Sequence, residues 1–369
     1  MKKPVRVLHI ITGMGGGGAE SFIMNMYRHM DRDQIRFDFL LRSNENMYDE
    51  ELRSYGSRVI QTASFPKHLV QNRRQVRCFL KDNQYEIIHV HANALIYMTA
   101  LREAAKSHVP CRIMHSHSTS MRYPWMLPYH LLQKANLRHL ATDYIACSED
   151  AGRWMFPSSF QVIRNGIDLE RFAFDEKQRK KCRTELGLNK TQLVLGHVGR
   201  FLPVKNHSFL LNVFHHVLSQ EPDAMLLLVG DGPQEQVIRQ EVMELGIADH
   251  VQFLGLRKDV ESILNAMDVF VFPSLYEGLG IAVIEAQANG LPVICSEGVP
   301  NEAIVAENVK RLPLDHGEAG WADAIRTIGR ARCDSIDLLR NAGFSIEEEA
   351  AKLQDFYLTK ADQIRNNLE

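Results

Sequence analysis

No run of apolar residues in this chain approaches the roughly 18–20 that a helix needs to span a bilayer. The apolar start is short and is broken by His9, Thr12 and a run of glycines, so it does not read as a signal peptide. CxxC pairs are missing as well. Cys78, Cys111, Cys147, Cys182, Cys295 and Cys333 are scattered singly, which excludes a zinc ribbon or a disulfide framework and fits a reducing compartment. Net charge is small, −2 over 369 residues, and no low-complexity tract or short repeat is present. These absences exclude a solenoid and weigh against a nucleic-acid partner held by bulk charge. The expected location is the cytoplasm, with peripheral contact at the inner face of the cell membrane left open.

What the chain does contain is an ordinary globular composition, 45% hydrophobic and 24% charged, with room for about two domains. The small net charge hides an asymmetry. Residues 64–140 hold 11 Lys/Arg against 3 Asp/Glu, a balance of +8, so the remainder carries −10. A basic first half suits an anionic partner such as a membrane surface or a phosphorylated acceptor, or it is a solvated face.

Residues 5–11 form a continuous apolar, β-branched run that leads into GMGGGG and a helix over 19–30. This is a strand feeding a Gly-rich turn, but it lacks the acidic spacing of a dinucleotide fingerprint. Close approach of a ligand to Gly16, Gly17 and Gly18 explains the glycines better. Glu20, just beyond, either binds a hydroxyl or stabilises the helix N-terminus. Strands over 37–41, 86–90, 111–115 and 144–147 alternate with helices over 70–80, 94–106 and 129–140. Alternation of this kind predicts a parallel sheet covered on both faces, with functional residues at its carboxyl ends. Residues 161–168, QVIRNGID, close this domain with a short strand and an Asn-Gly turn that explains Asn165. Residues 168–189 read as a charged, helix-prone surface connection. A second series then begins, with strands over 193–198, 225–229, 251–254, 269–272, 292–295 and 309–312 and helices over 207–218 and 234–245. The predicted organisation is residues 1–168, a second Rossmann-like domain over 169–345, and a terminal helix over 346–369.

His89, His91, His115 and His117 fall at or just past predicted strand ends. Two HxH pairs suggest a metal, but no carboxylate is recruited beside them, and none is expected. His117, beyond its strand, is the better candidate to meet a ligand, with His115 second and His89 and His91 as packing residues. Between Arg122 and Arg138, aromatic and basic residues intermix, as in RYPWMLPYHLLQKANLR. A core helix with one solvated face is the preferred reading, and an interfacial helix lying on lipid is its rival.

In the second half, GRFLPVKN places Arg200 and Lys205 just after a strand end, where two cations neutralise a diphosphate. GDGP, with Gly230 and Gly232, bends the chain tightly and reads as structure supporting the site. VQFLGLR brings Leu254, Gly255 and Leu256 to a strand end, where backbone groups reach a base edge. In FPSLYEGLGIAVIEAQANG, Gly278, Leu279 and Gly280 lead into a helix starting at Ile281, whose open N–H groups suit an anion. Glu285, one turn in, has two acceptor oxygens for a vicinal diol, and Glu277 faces hydroxyls at the other end of the same ligand. A diphosphate between two polyols describes a nucleotide sugar.

These motifs together resemble the retaining family 4 glycosyltransferases of GT-B fold, of the bacterial exopolysaccharide, capsule and lipopolysaccharide type. The resemblance rests on GGGGAE at 15–20, HSH at 115–117, NGID at 165–168, GRxxxxK at 200–205, GDGP at 230–233, VQFLG at 251–255 and E-x7-E at 277–285. It implies two facing Rossmann-like domains with a cleft between them, the first for the acceptor and the second for the donor, and a final helix crossing back. It also implies that Arg200 and Lys205 bind the donor diphosphate, Glu285 the ribose, and Glu277 the sugar. His117 would meet that sugar near its reacting carbon, while residues 254–257 lie beside the base. No cofactor or metal is implied. The expected activity moves a sugar from a nucleotide-sugar donor, UDP-linked, to a lipid-linked or glycan acceptor. A UDP-sugar epimerase of similar fold and a non-catalytic member of a polysaccharide assembly complex are the rival readings.

Overall fold

The computed structural model describes residues 3–15, 17–118, 121 and 124–367. They divide into two compact units: Met1–Gly166 with Ile346–Glu369, and Ile167–Ser345. The break after Gly166 comes slightly ahead of the expected one after Asp168.

The first unit is built on seven strands: β1 (Val5–Ile11), β2 (Ile35–Leu41), β3 (Val59–Gln61), β4 (Ile87–Ala92), β5 (Cys111–Ser116), β6 (Asp143–Ala146) and β7 (Gln161–Val162). They pair in parallel in the order β3-β2-β1-β4-β5-β6-β7. β1 and β2 are buried except at Arg6 and Arg36, as strands covered on both faces must be. The second unit carries β8 (Val194–Val198), β9 (Met225–Val229), β10 (Val251–Gly255), β11 (Val269–Phe272), β12 (Val293–Ser296) and β13 (Val309–Leu312). These are also parallel, in the order β10-β9-β8-β11-β12-β13. Both sheets therefore wind outward first one way and then the other. The winding reverses between β1 and β4 in one sheet and between β8 and β11 in the other. At such a reversal the connecting chains leave to opposite sides and open a crevice at the carboxyl ends.

Two expectations are corrected. Residues 168–189 are helical, as expected, in Leu169–Phe172 and Glu176–Glu185, capped by the carboxylates of Asp168 and Asp175, but they are more than a surface connection. Leu169, Phe172 and Cys182 join the hydrophobic core of the second unit. Nor is the helix over 129–140 a core helix with a solvated face. It runs Leu127–Asn136 and turns His130 and Gln133 inward, leaving Trp125, Leu131 and Leu132 outward at 75%, 54% and 60% exposure. His130 accepts from the Leu95 amide and Gln133 accepts from Arg102, which explains why these polar residues are the buried ones.

The terminal helix, Ile346–Asn366, buries Ile346, Ala350, Leu353, Tyr357 and Ala361 along one stripe. That stripe packs on β1, β2, β4 and helix Gly18–Arg28 within the first unit's core. Buried Glu349 accepts from the Arg164 amide at 2.8 Å and pairs with Lys352, fixing the start of the helix beside β7. Leu353→Ala, at a site with 1% exposure, is expected to cost about 2–5 kcal/mol. The loss should appear as a lower urea midpoint for the first unit, whereas Thr359→Ala at the exposed surface of the same helix should shift it far less.

Candidate active site

In the second unit the loops that follow β8 and β11 are laced together at the winding reversal. Leu275 N–H donates to the Val204 carbonyl at 2.8 Å, and the Asn206 side chain donates to the Pro273 carbonyl at 3.3 Å. Lys205 Nζ lies 2.7 Å from Glu277 Oε1, both side chains being largely buried, and 4.6 Å from the centre of the Phe272 ring. The two residues expected to address different parts of a ligand thus form one ion pair. Arg200, on the same loop, is exposed, and among the described residues its guanidinium has no partner. Gly230 and Gly232, both at positive φ, hold this loop from the other side. A Cβ at Gly230 would overlap the Gly199 carbonyl, and one at Gly232 would lie 2.6 Å from the Phe201 carbonyl oxygen. GDGP is accordingly structure beneath the cation loop, as expected from its sequence. Under Lys205 sit two buried histidines missed by the sequence reading, His197 and His207. Burial and the neighbouring lysine push His207 down to about 4, so it stays neutral.

Helix Ile281–Ala288 begins at Gly280, which is left-handed at φ +81, and no side chain caps it. Its first N–H groups are therefore open to an anion. Gly278 is exposed with open space around it, while Leu279 packs against the core. The carboxyl of Glu285, partly buried in this helix, has no hydrogen-bond partner among the described residues. Burial raises its pKa to about 7, with Arg171 lowering it and Glu261 raising it. Arg171 and Glu261, themselves paired at 2.9 Å, were not legible as site residues, since neither stands in a motif. At the end of β10, Gly255 is left-handed and its carbonyl accepts from Gly230 N–H at 2.9 Å. Leu254 beside it is partly buried against the core, and Leu256 is exposed.

In the first unit, Gly17 is the N-cap of helix Gly18–Arg28, and Gly16 lies outside the described residues. The Glu20 carboxylate folds back over Gly17, where a Cβ would collide with it, which favours the structural reading of Glu20. The histidines prove to be a layer of five. His9, which the sequence reading took only as a break in an apolar run, joins His89, His91, His115 and His117. His9 Nδ1 lies 2.9 Å from His91 Nε2, and His91 Nδ1 lies 2.8 Å from His117 Nε2. Beside that chain, Tyr357 Oη lies 2.5 Å from His89 Nδ1, and His89 Nε2 lies 3.0 Å from His115 Nδ1. Burial lowers the pKa of all five, that of His117 to about 3. One nitrogen from each of His91, His115 and His117 lies within 4.8 Å of the others, as is also true of His9, His89 and His91.

Two parallel Rossmann-like units, each with its polar residues at a winding reversal, are the architecture of GT-B glycosyltransferases. The comparison with known proteins agrees. Residues 178–332 match the family described as Glycosyl transferases group 1, and residues 16–171 match Glycosyltransferase Family 4. A Bacillus subtilis (strain 168) protein named as a glycosyltransferase, EpsF, is 35% identical over 385 aligned positions that cover 98% of each chain. The chain belongs to this glycosyltransferase family. An Escherichia coli UDP-Gal:alpha-D-GlcNAc-diphosphoundecaprenol alpha-1,3-galactosyltransferase is 28% identical, over 76% of each chain. Among solved structures, a glycosyltransferase from Rickettsia africae superposes with a TM-score of 0.79 at 14% identity, covering 98% of this chain and 99% of that one. Anabaena HepE, crystallised with UDP and glucose, gives 0.67 at 19% identity, covering 99% of each.

The raised pKa of Glu285 makes a signed prediction. A carboxyl shifted from 4.5 to about 7 adds full stability below 4.5 and loses it as pH rises through 7. Glu285→Gln should therefore melt above the parent protein at pH 8, with the difference shrinking as pH falls toward 4.5. A difference that does not change with pH would mean that the carboxyl titrates normally.

Proposed function

We propose that this chain is a retaining glycosyltransferase that moves a sugar from a UDP-linked donor to a lipid-linked or glycan acceptor in bacterial surface polysaccharide synthesis. The observation that carries this reading is the grouping in the second unit: Arg200 without a partner, the Lys205–Glu277 pair, and the uncapped helix bearing Glu285. Arg200, Lys205 and the helix N–H groups bind the diphosphate, and Glu285 holds the ribose diol. Leu254, Gly255 and Leu256 lie beside the base. Gly278, Leu279, Gly280 and Ile281 contact sugar and phosphate. Glu277 serves two tasks, since its pairing with Lys205 leaves further acceptor capacity for a sugar hydroxyl. The glycine loop at 15–18 belongs to the donor site in the same reading, and His117 meets the sugar. The Escherichia coli relative's name specifies a UDP-sugar and a diphosphoundecaprenol acceptor, and HepE was crystallised with UDP. Both support the choice of donor and acceptor class.

The chemistry proposed is same-face displacement. The bond from the anomeric carbon to the diphosphate oxygen breaks, the acceptor oxygen bonds to that carbon, and its proton passes to the departing phosphate. Neither glutamate acts as nucleophile. Two cations and a helix terminus stabilise the leaving charge, so no metal is required in this scheme. Contact with a lipid-linked acceptor agrees with the outward apolar residues Trp125, Leu131 and Leu132 on a basic stretch. Among the described residues no helix is long and apolar enough to cross a membrane, so attachment is peripheral in this proposal.

Two measurements test it. With UDP-sugars and a membrane lipid acceptor, Arg200→Ala, Lys205→Ala and Glu285→Ala should each lower turnover by roughly 10- to 150-fold, the worth of one charge-assisted contact. Normal turnover in both Lys205→Ala and Glu285→Ala would remove the site assignment. In cosedimentation with phosphatidylglycerol vesicles, Leu131→Glu with Leu132→Glu should weaken binding at least about tenfold, because each leucine is worth about 1.5–3 kcal/mol when buried. Unchanged binding would place the apolar face outside the membrane contact.

A further inference from the structure

The histidine layer has a direction that follows from the sheet register. His9 pairs with His89 across β1 and β4, so His91 stands two residues nearer the carboxyl edge than His9. His91 pairs with His115 across β4 and β5, so His117 is again two residues further on. The chain His9–His91–His117 therefore climbs diagonally to the edge where ligands bind. The chain Tyr357–His89–His115 climbs beside it, starting from the terminal helix. Among the described residues no carboxylate or cation hydrogen-bonds to any member of either chain. Three nitrogens, His9 Nε2, His115 Nε2 and His117 Nδ1, are buried with no partner among the described residues.

A neutral imidazole carries one N–H and one bare nitrogen, so each link sets the next. Tyr357 is fully buried and, among the described residues, its hydroxyl hydrogen-bonds to His89 alone, so its O–H donates there or is left without an acceptor. His89 then donates from Nε2 to His115 Nδ1, and the His115 proton sits on Nε2. At the foot of the other chain, His9 is packed against Phe37 at 3.9 Å and Phe39 at 5.6 Å. Each chain carries one hydrogen more than it has acceptors, so one N–H or O–H is stranded at its foot or at the carboxyl edge; between the two phenylalanine rings nothing can accept it, whereas at the partly buried His117 an arriving ligand oxygen can. A bare Nε2 on His9 puts its proton on Nδ1, which donates to His91. His91 Nδ1 donates to His117 in turn, and His117 keeps its proton on Nδ1.

We infer that the two chains fix His117 as its Nδ1–H tautomer and His115 as its Nε2–H tautomer, giving at His117 an uncharged donor for a hydroxyl oxygen of the donor sugar with a neutral ring packed beneath it, and with His9 and Tyr357 as positioning residues. The ligand half of this inference rests on the proposed sugar contact of His117, and the tautomer half does not. A neutral donor suits the place, since an imidazolium beside a sugar passing through an oxocarbenium-like state would repel it. A metal fits less well. Two nitrogens on one tetrahedral zinc, at about 2.0–2.1 Å each, stand about 3.3 Å apart, further than the 2.8–3.0 Å between these imidazole nitrogens.

The test is long-range 15N–1H correlation on the full chain labelled at histidine. The expected result is Nδ1–H at His117, the less common form of free imidazole, and Nε2–H at His115. His9→Phe should move His117 toward the Nε2–H form and lower turnover up to about tenfold, the worth of one neutral hydrogen bond. Tyr357→Phe should perturb His115 and leave His117 as it was. Finding Nε2–H at His117 in the parent protein overturns the inference without any variant having to fold, as does stoichiometric zinc bound at these rings. If the tautomers are as expected but His117→Ala keeps full turnover, the sugar contact fails while the tautomer assignment stands.

Discussion

Lys205 and Glu277 are 72 residues apart and meet because β8 and β11 are neighbours in the sheet. That adjacency is the constraint on which the second unit's site depends. Winding in opposite directions from β8 and β11 leaves their carboxyl ends side by side with no helix crossing over them. The loops that fill the space must satisfy their own backbone groups, and they do so on each other, through Leu275 to Val204 and Asn206 to Pro273. A mostly buried lysine there needs a counter-charge, and Glu277 supplies it. The pair is thus both the lock that holds two loops together and the polar end of the site.

The first unit solves the same problem with neutral groups. Its reversal lies between β1 and β4, and the side chains carried toward that edge on β1, β4 and β5 are imidazoles rather than ions. Five neutral rings can be buried against Phe22, Phe37, Phe39 and Tyr357 at little cost provided they hydrogen-bond to one another. Burying five charges would not be possible on those terms. The terminal helix matters here for more than packing, because Tyr357 supplies the one hydroxyl at the foot of a chain.

Much of this was legible in the residues. Strands such as 225–229 and 269–272, and the helix from Ile281, follow from continuous apolar runs between glycine turns, and their order predicts two doubly wound sheets. The failures have separate physical causes. β3 is three partly exposed residues at a sheet edge, too short to show a period. The helices over 168–189 look like surface because their charged residues outnumber the few that anchor them, Leu169, Phe172 and Cys182. Helix Leu127–Asn136 was misread because hydrophobicity was taken to mark its inner face, whereas His130 and Gln133 are held inward by hydrogen bonds that a helical wheel does not contain. His9 was missed for a related reason. Its partners are on strands about 80 residues away, and only sheet register reveals that HxH, HxH and a lone histidine are one layer.

The two glutamates at 277 and 285 also change meaning once their surroundings are known. They were read as polyol binders at opposite ends of one ligand, yet one carboxylate is neutralised by a lysine and the other is left half-buried without a partner among the described residues. An unpartnered carboxyl held near pH 7 is costly to stability, and no packing requirement explains it, since Gln would fill the same volume. A group kept at that cost is where selection for binding outweighs selection for stability. Glu277 is already satisfied by Lys205 within the chain, whereas in the proposed function it is the ribose diol that satisfies Glu285.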